Sequence, residues 1–489
     1  MDSRIDNTKS KALSGLMWSF LEKFGAQSLT LIVSIVLARL IDPKVFGLIS
    51  IVTVLMAILN VFVDSGLGNA LIQKKDADST DFSSVFYFNM AMCTVLYVLL
   101  FFAAPLIARF FELPELTAVI RVMGIALIFS GINNVQRAYV ARQLKYKRFF
   151  FATLGGTLGA AVVSIWMAYN GYGVWALVGQ SLVTTIANSV ILWFTVKWRP
   201  TRVFSFERFK SLFSFGWKLL ASSLIDTIYN NLRQIIIGKM YSAESLAFYN
   251  RGYMIPNALV GSINSAIDSV LFPVMSTAQD NAETVKAMTR RSIRTTSYLI
   301  WPIMLGIAAC AEPLVSVVLT DKWLPCVPFV IIFCICYAFQ PVETANLNAI
   351  KALGRSDIFL KLNVLKKSIG FAVLVATMWF GPLVMALSNL FFVIVNLIIN
   401  IYPNRRLLNY SYRQQLADIA PAVLLSVAMF GIVFSVQFFG LANWITLLIQ
   451  VPLGMAIYIV GSKLFRVESF EYIINTAKAL LKRNRMQIN

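Results

Sequence analysis

Asn60–Ser65 reads NVFVDS and Asn264–Ser269 reads NSAIDS. Each stretch sets Asn and Asp one helical turn apart in strongly apolar surroundings, and each follows the Asp with Ser. A carboxylate near the end of an apolar helix is unusual once. Twice, at an offset of 204, it marks an internal duplication. The apolar runs that open each half carry the mark further. Ser19, Lys23, Gln27, Thr30 and Ser34 fall on one stripe of the first run. From Lys23 the spacing i, i+4, i+7, i+11 follows one helical face. Ser222, Asp226, Tyr229 and Arg233 repeat that spacing at an offset of 199, which Trp18 and Trp217 share. Arg39 and Lys239 stand 200 apart. Further along, NNVQRA from Asn133 runs loosely parallel to NLNAIKALGR from Asn346.

The chain around these marks belongs in a bilayer. Of its 489 residues, 58% are hydrophobic and 13% charged, where soluble domains carry about 45–50% and about 25%. A membrane span needs about 20 apolar residues, and that criterion finds about fourteen spans. The first, Gly15–Leu40, is too long for the h-region of a signal peptide and reads as a span that stays. Six spans per half return the chain to its starting side. The two halves therefore share one orientation, as in transporters built from parallel repeats. The predicted architecture is an all-α integral membrane protein with two pseudo-symmetric six-helix bundles and two C-terminal helices. Residues 1–198 form an N-lobe of helices 1–6 and residues 199–214 an amphipathic interfacial linker with Phe206, Phe209 and Phe213 on one face. Residues 215–404 form a C-lobe of helices 7–12, and residues 405–489 the last two helices with a basic tail.

Most of the 43 Lys and Arg fall in alternate loops, among them RQLKYKR (Arg142–Arg148) and TRRSIR (Thr289–Arg294). Orientation by basic loops places both termini in the cytoplasm. The same loops account for the net charge of +20 without nucleic acid. The chain has no histidine, which removes the usual general base and the commonest metal ligand. Its five cysteines are scattered through apolar segments and read as small core residues. No P-loop motif occurs, and the loops are too short for a catalytic domain. An enzyme is therefore not expected, nor a catalytic residue, a metal site or a cofactor.

The stretches SGLMWSFLEKFGAQ, LARLIDPKVFGL, FVDSGLGNALIQKKD, GWKLLASSLIDTIYNNL, AFYNRGYMI and LTDKWLP, spread over nearly the whole chain, resemble the polysaccharide transporter (Wzx-like, WzxC-type) family. That family belongs to the multidrug/oligosaccharidyl-lipid/polysaccharide (MOP) exporter superfamily. The resemblance implies the MOP flippase fold in the bacterial inner membrane. It implies a flippase that moves undecaprenyl-pyrophosphate-linked oligosaccharide by alternating access, for capsule, O-antigen or exopolysaccharide export. It suggests polysaccharide polymerase and chain-length machinery as protein partners. The competing reading is a cation-coupled drug or metabolite antiporter of the same superfamily.

A pyrophosphate headgroup needs cations and hydrogen-bonding groups along its path. Charge inside a span is costly and usually functional. Lys23, Gln27, Tyr229 and Arg233 lie on the matched stripes, and Lys218, Lys366 and Lys367 lie nearer the cytoplasmic end. Each cation has a plainer reading: Lys23 pairs with Glu22 or Asp64, Arg233 pairs with Asp226, and the other three snorkel to the interface. Glu22, Asp64, Asp226, Asp268 and Glu343 are the carboxylates that either couple H+ or Na+ to transport or tie helix ends together. The α-helix bearing Asp64 is expected to stop at SGLG, and the one bearing Asp268 to kink or end at Pro273.

Overall fold

A computed structural model describes residues 25–64, 66–143, 147–475 and 478, and every regular element among them is helical. The solvent dictates this: lipid offers no hydrogen bonds, so each spanning segment must satisfy its own backbone. The chain divides into two compact units, one ending at Ala247 and one beginning at Phe248. This division falls later in the sequence than the 199–214 linker.

The first unit contains α1 (Gly25–Leu40), α2 (Pro43–Asp64), α3 (Leu67–Gln73) and α4 (Ser79–Phe110). It continues with α5 (Leu116–Arg142), α6 (Lys147–Tyr169), α7 (Val174–Thr195) and α8 (Phe206–Met240). Helix α9 (Ala243–Ser276) leads into the second unit. That unit holds α10 (Ala282–Ala309), α11 (Ala311–Leu319), α12 (Val327–Ala338) and α13 (Gln340–Ala352). Then come α14 (Ser356–Thr377), α15 (Pro382–Leu407), α16 (Tyr412–Ser435) and α17 (Asn443–Leu464).

Nine helical runs among the described residues are long and apolar enough to cross a membrane. The pair α10 and α11 meets the same standard together but bends by 70°. Helices α8, α9 and α14 lie outside that set, and each carries charged residues along its length.

Three local readings change. The expected interfacial linker and seventh span are one 35-residue helix, α8, because no proline interrupts Phe206–Met240 and Ser205 caps its start. Of its aromatic face, Phe209 is buried, with its ring 4.3 Å from that of Phe88 on α4, while Phe206 is exposed. Helix α9 passes through Pro256 and Pro273 and ends at Ser276, so Pro273 does not stop it. Helix α2 does end at Asp64. The turn that follows uses Gly66 at φ 67°, where a side chain would also meet the Gly216 carbonyl oxygen at 2.5 Å.

Two of the family-like stretches meet in the second unit. Arg251, from AFYNRGYMI, is buried with its guanidinium 4.8 Å from the ring centre of Trp323, from LTDKWLP. The neighbouring Gly252 lets α9 touch α12: a Cβ there would lie 2.4 Å from the Phe329 Cβ and 2.9 Å from its backbone. All five cysteines are buried and free.

Charge fastens the helix ends. Asp418 on α16, only 1% exposed at its side chain, accepts from Arg290 at 2.7 Å, from Arg294 at 2.7 Å and from the Tyr410 hydroxyl at 2.7 Å. Both arginines belong to TRRSIR, so this basic stretch anchors a helix outside the repeat. In the first unit, Asp78 caps α4 by accepting from the Thr80 and Asp81 amides, both at 3.0 Å, and it pairs with Arg208 of α8. The Arg208 guanidinium, with help from the Asp81 amide, pulls the Asp78 carboxyl down to about 2.

Gly252→Ala should destabilise the protein by about 1–3 kcal/mol through overpacking. A lowered melting temperature of purified protein in detergent would show it, and an unchanged one would refute the close contact. Asp78→Ala should remove about 1 kcal/mol of cap stability at neutral pH. The folded carboxyl lies below its ordinary value near 3.9, so its contribution is complete above about pH 4 and disappears as pH falls toward 2. Melting curves of wild type and variant should therefore converge across that interval.

Candidate functional site

The α8 stripe stands as the spacing implied. Asp226, Tyr229 and Arg233 are each partly buried, one helical turn after another. Arg233 sits four residues beyond Tyr229, close enough for guanidinium and phenol to influence each other. Lys218, two turns earlier on α8, is exposed. On α1, Gln27 is exposed. Glu22 and Lys23 lie outside the described residues.

The opening carboxylates have defined partners. Asn134 on α5 donates from Nδ2 to Asp64 Oδ1 at 3.1 Å and to the Val63 carbonyl at 2.9 Å. In the second unit, Asn348 on α13 donates from Nδ2 to Asp268 Oδ1 at 2.5 Å. The two asparagines stand 214 apart, and so do the cations that follow them by three residues, Arg137 and Lys351. The duplicated unit is thus a carboxylate on one helix held by an asparagine on a later one. Asn134 and Asn348 were within reach of sequence reading, since both fall in the stretches that mark the repeat.

Glu343 is in the first turn of α13, where the helix dipole favours negative charge. It accepts from Lys366 Nζ and from Asn400 Nδ2, both at 3.1 Å. Lys366 is 8% exposed. It therefore does not snorkel to the interface: its ammonium turns inward to the Glu343 carboxylate. Lys367, its neighbour, is partly buried. Beside this group lies a buried amide ladder. Asn346 and Gln415 exchange hydrogen bonds at 2.8 and 3.1 Å, and Asn404 donates to Asn346 Oδ1 at 2.7 Å. Gln415 comes from α16, outside the repeat, and nothing in the sequence periodicity pointed to it.

The first unit holds a polar cavity of about 270 Å³ among α2, α5, α6 and α7, with Asp64 and Arg137 in its wall. The structure thus brings Asp64 to Asn134, Asp268 to Asn348, and Glu343 to Lys366. It leaves Gln27 and Lys218 at the surface of their helices.

Residues 36–328 match the model of a family described as polysaccharide biosynthesis protein. Among curated relatives, the lipopolysaccharide biosynthesis protein WzxC of Escherichia coli (strain K12) is 24% identical over 444 residues, covering 88% of this chain and 89% of that protein. Among solved structures, the lipid II flippase MurJ in an inward closed conformation superposes with a TM-score of 0.76 at 14% identity, over 92% of this chain and 98% of that one. An inward-facing multidrug resistance MATE transporter of the MOP superfamily superposes with a TM-score of 0.61 at 15% identity, over 79% and 96%. The fold is that of the MOP exporters. The chain belongs to the polysaccharide biosynthesis protein family, in its Wzx-like polysaccharide transporter branch.

Proposed function

We propose that this chain is a flippase that carries polyprenyl-pyrophosphate-linked oligosaccharide repeat units across the bacterial inner membrane for surface polysaccharide export. The observation that carries the reading is the α8 stripe, where Arg233 and Tyr229 stand partly buried on a helix of a MOP exporter fold. Near full-length similarity to WzxC, a protein named for lipopolysaccharide biosynthesis, supports the substrate class. The MurJ likeness supports the fold on which such a lipid is moved. The reading is transport and not catalysis.

The physics is that of a hydrated path. The prenyl tail stays in lipid while the pyrophosphate and sugars cross. Arg233 offers a delocalised cation with a fork of donors suited to phosphate oxygens. Tyr229 offers a hydroxyl and a ring face one turn away. Translocation proceeds by alternating access, with both termini in the cytoplasm as the basic loops direct. H+ or Na+ is the coupling ion, with Asp64, Asp226, Asp268 and Glu343 as the described candidates. A drug or metabolite antiporter shares the fold, and the surplus of Lys218 and Arg233 over Asp226 in the central part of α8 speaks against a pocket for cationic drugs.

The test is a leaflet assay in liposomes carrying a fluorescent polyprenyl-pyrophosphate oligosaccharide. Wild type should make the inner-leaflet pool accessible outside. Arg233→Ala should slow that transfer by about ten- to a hundredfold, the loss of one or two charge-assisted hydrogen bonds. Export of a cationic dye in place of any lipid transfer would establish the antiporter instead.

A further inference from the structure

The 270 Å³ cavity of the first unit is a chamber whose chemistry differs from that of the α8 stripe. Its polar wall is built mostly of amides and hydroxyls: Asn60, Asn133, Asn134, Thr153, Thr185 and Asn188. One carboxylate, Asp64, and one guanidinium, Arg137, share it. The two charges are opposite, so the chamber's wall carries no net charge. Amides and hydroxyls each pair equally well with donors and acceptors, as a polyol requires. Two of the acceptors wait unused: Asn133 Oδ1 and Asn188 Oδ1 are enclosed and without a hydrogen-bond partner. Enclosed polar atoms of that kind call for a ligand or water.

The backbone makes room for these amides. A Cβ at Gly68 would lie 2.8 Å from Asn134 Oδ1, and a Cβ at Gly156 would lie 3.0 Å from Asn188 Oδ1. Volume sets the scale of the occupant. Pockets for drug-sized ligands run from about 300 to 1,000 Å³, so this chamber suits one small ring and not a whole repeat unit.

The duplicate in the second unit gives the contrast. There Asp268 is likewise held by an Asn, but the neighbouring interior is filled by Asn346, Asn404 and Gln415 bonded to one another. Those amides bond to one another across α13, α15 and α16, whereas Asn133 and Asn188 line a cavity.

We infer that the chamber among α2, α5, α6 and α7 is a saccharide subsite, which takes a single uncharged sugar ring of the lipid-linked glycan through Asn133, Asn188 and Thr185. The inference rests on the flippase reading and names what that flippase recognises besides pyrophosphate. The probes are polyprenyl pyrophosphate, bare or bearing one glucose, galactose or N-acetylglucosamine. Each is titrated against the full-length purified chain by microscale thermophoresis. At least one glycosylated probe should bind about tenfold tighter than the bare lipid, the gain from one or two net hydrogen bonds. Asn133→Leu and Asn188→Leu should reduce that ratio to about one. Thr185→Val, nearly isosteric, should lower it as well and serves if either larger change prevents folding. Equal binding of bare and glycosylated probes by wild type overturns the subsite and leaves the flippase reading standing. So does full discrimination in folded variants. Failure of every probe, the bare lipid included, overturns the flippase reading and the subsite with it.

Discussion

The scarcity of hydrogen bonds in hydrocarbon governs this molecule. Backbone groups meet it by forming helices throughout the described chain. Side chains meet it by finding one another. Asp64 takes the amide of Asn134, Asp268 takes that of Asn348, and Lys366 turns in to Glu343. A buried charge left alone would cost several kcal/mol. These pairings link α2 to α5, α9 to α13 and α13 to α14.

The same constraint explains how helices outside the repeat are held. Helix α16 has no counterpart in the first half, so no duplicated packing surface secures it. It is secured by Asp418, on which Arg290, Arg294 and Tyr410 converge, and by Gln415, which completes the amide ladder with Asn346. Arg294 also reaches Glu468 beyond α17 at 2.5 Å. One basic stretch on α10 therefore fastens both later segments. Lateral packing in lipid is only weakly directional, and such charge contacts add the missing specificity.

Hydropathy and spacing made the all-helical membrane fold, the stripe on α8 and the stop at Asp64 legible, because each depends on residues near in sequence. What stayed hidden depends on neighbours far along the chain. Lys366 looked like a snorkelling residue because Glu343 and Asn400 are 23 and 34 positions away. Pro273 looked like a helix kink or end, and α9 ends three residues beyond it, at Ser276. The linker and seventh span looked like two elements because the apolar content changes at Phe215, although nothing in the backbone breaks there. In the site, both opening aspartates were visible at once. Their asparagine partners were visible only as members of the repeat, and the polar cavity around Asp64 depends on four helices together.

The long, charged α8 has a consequence for biogenesis. Lys218, Asp226 and Arg233 lie in its central part. At about 2.5–3.5 kcal/mol for each charge near a helix centre, such a segment partitions poorly from the translocon into lipid alone. It packs instead on α2, α3 and α4, which leave the ribosome before it. Helices α2, α3 and α4 thus serve α8 as its acceptor surface, and the order of synthesis becomes part of how this membrane protein reaches its native topology.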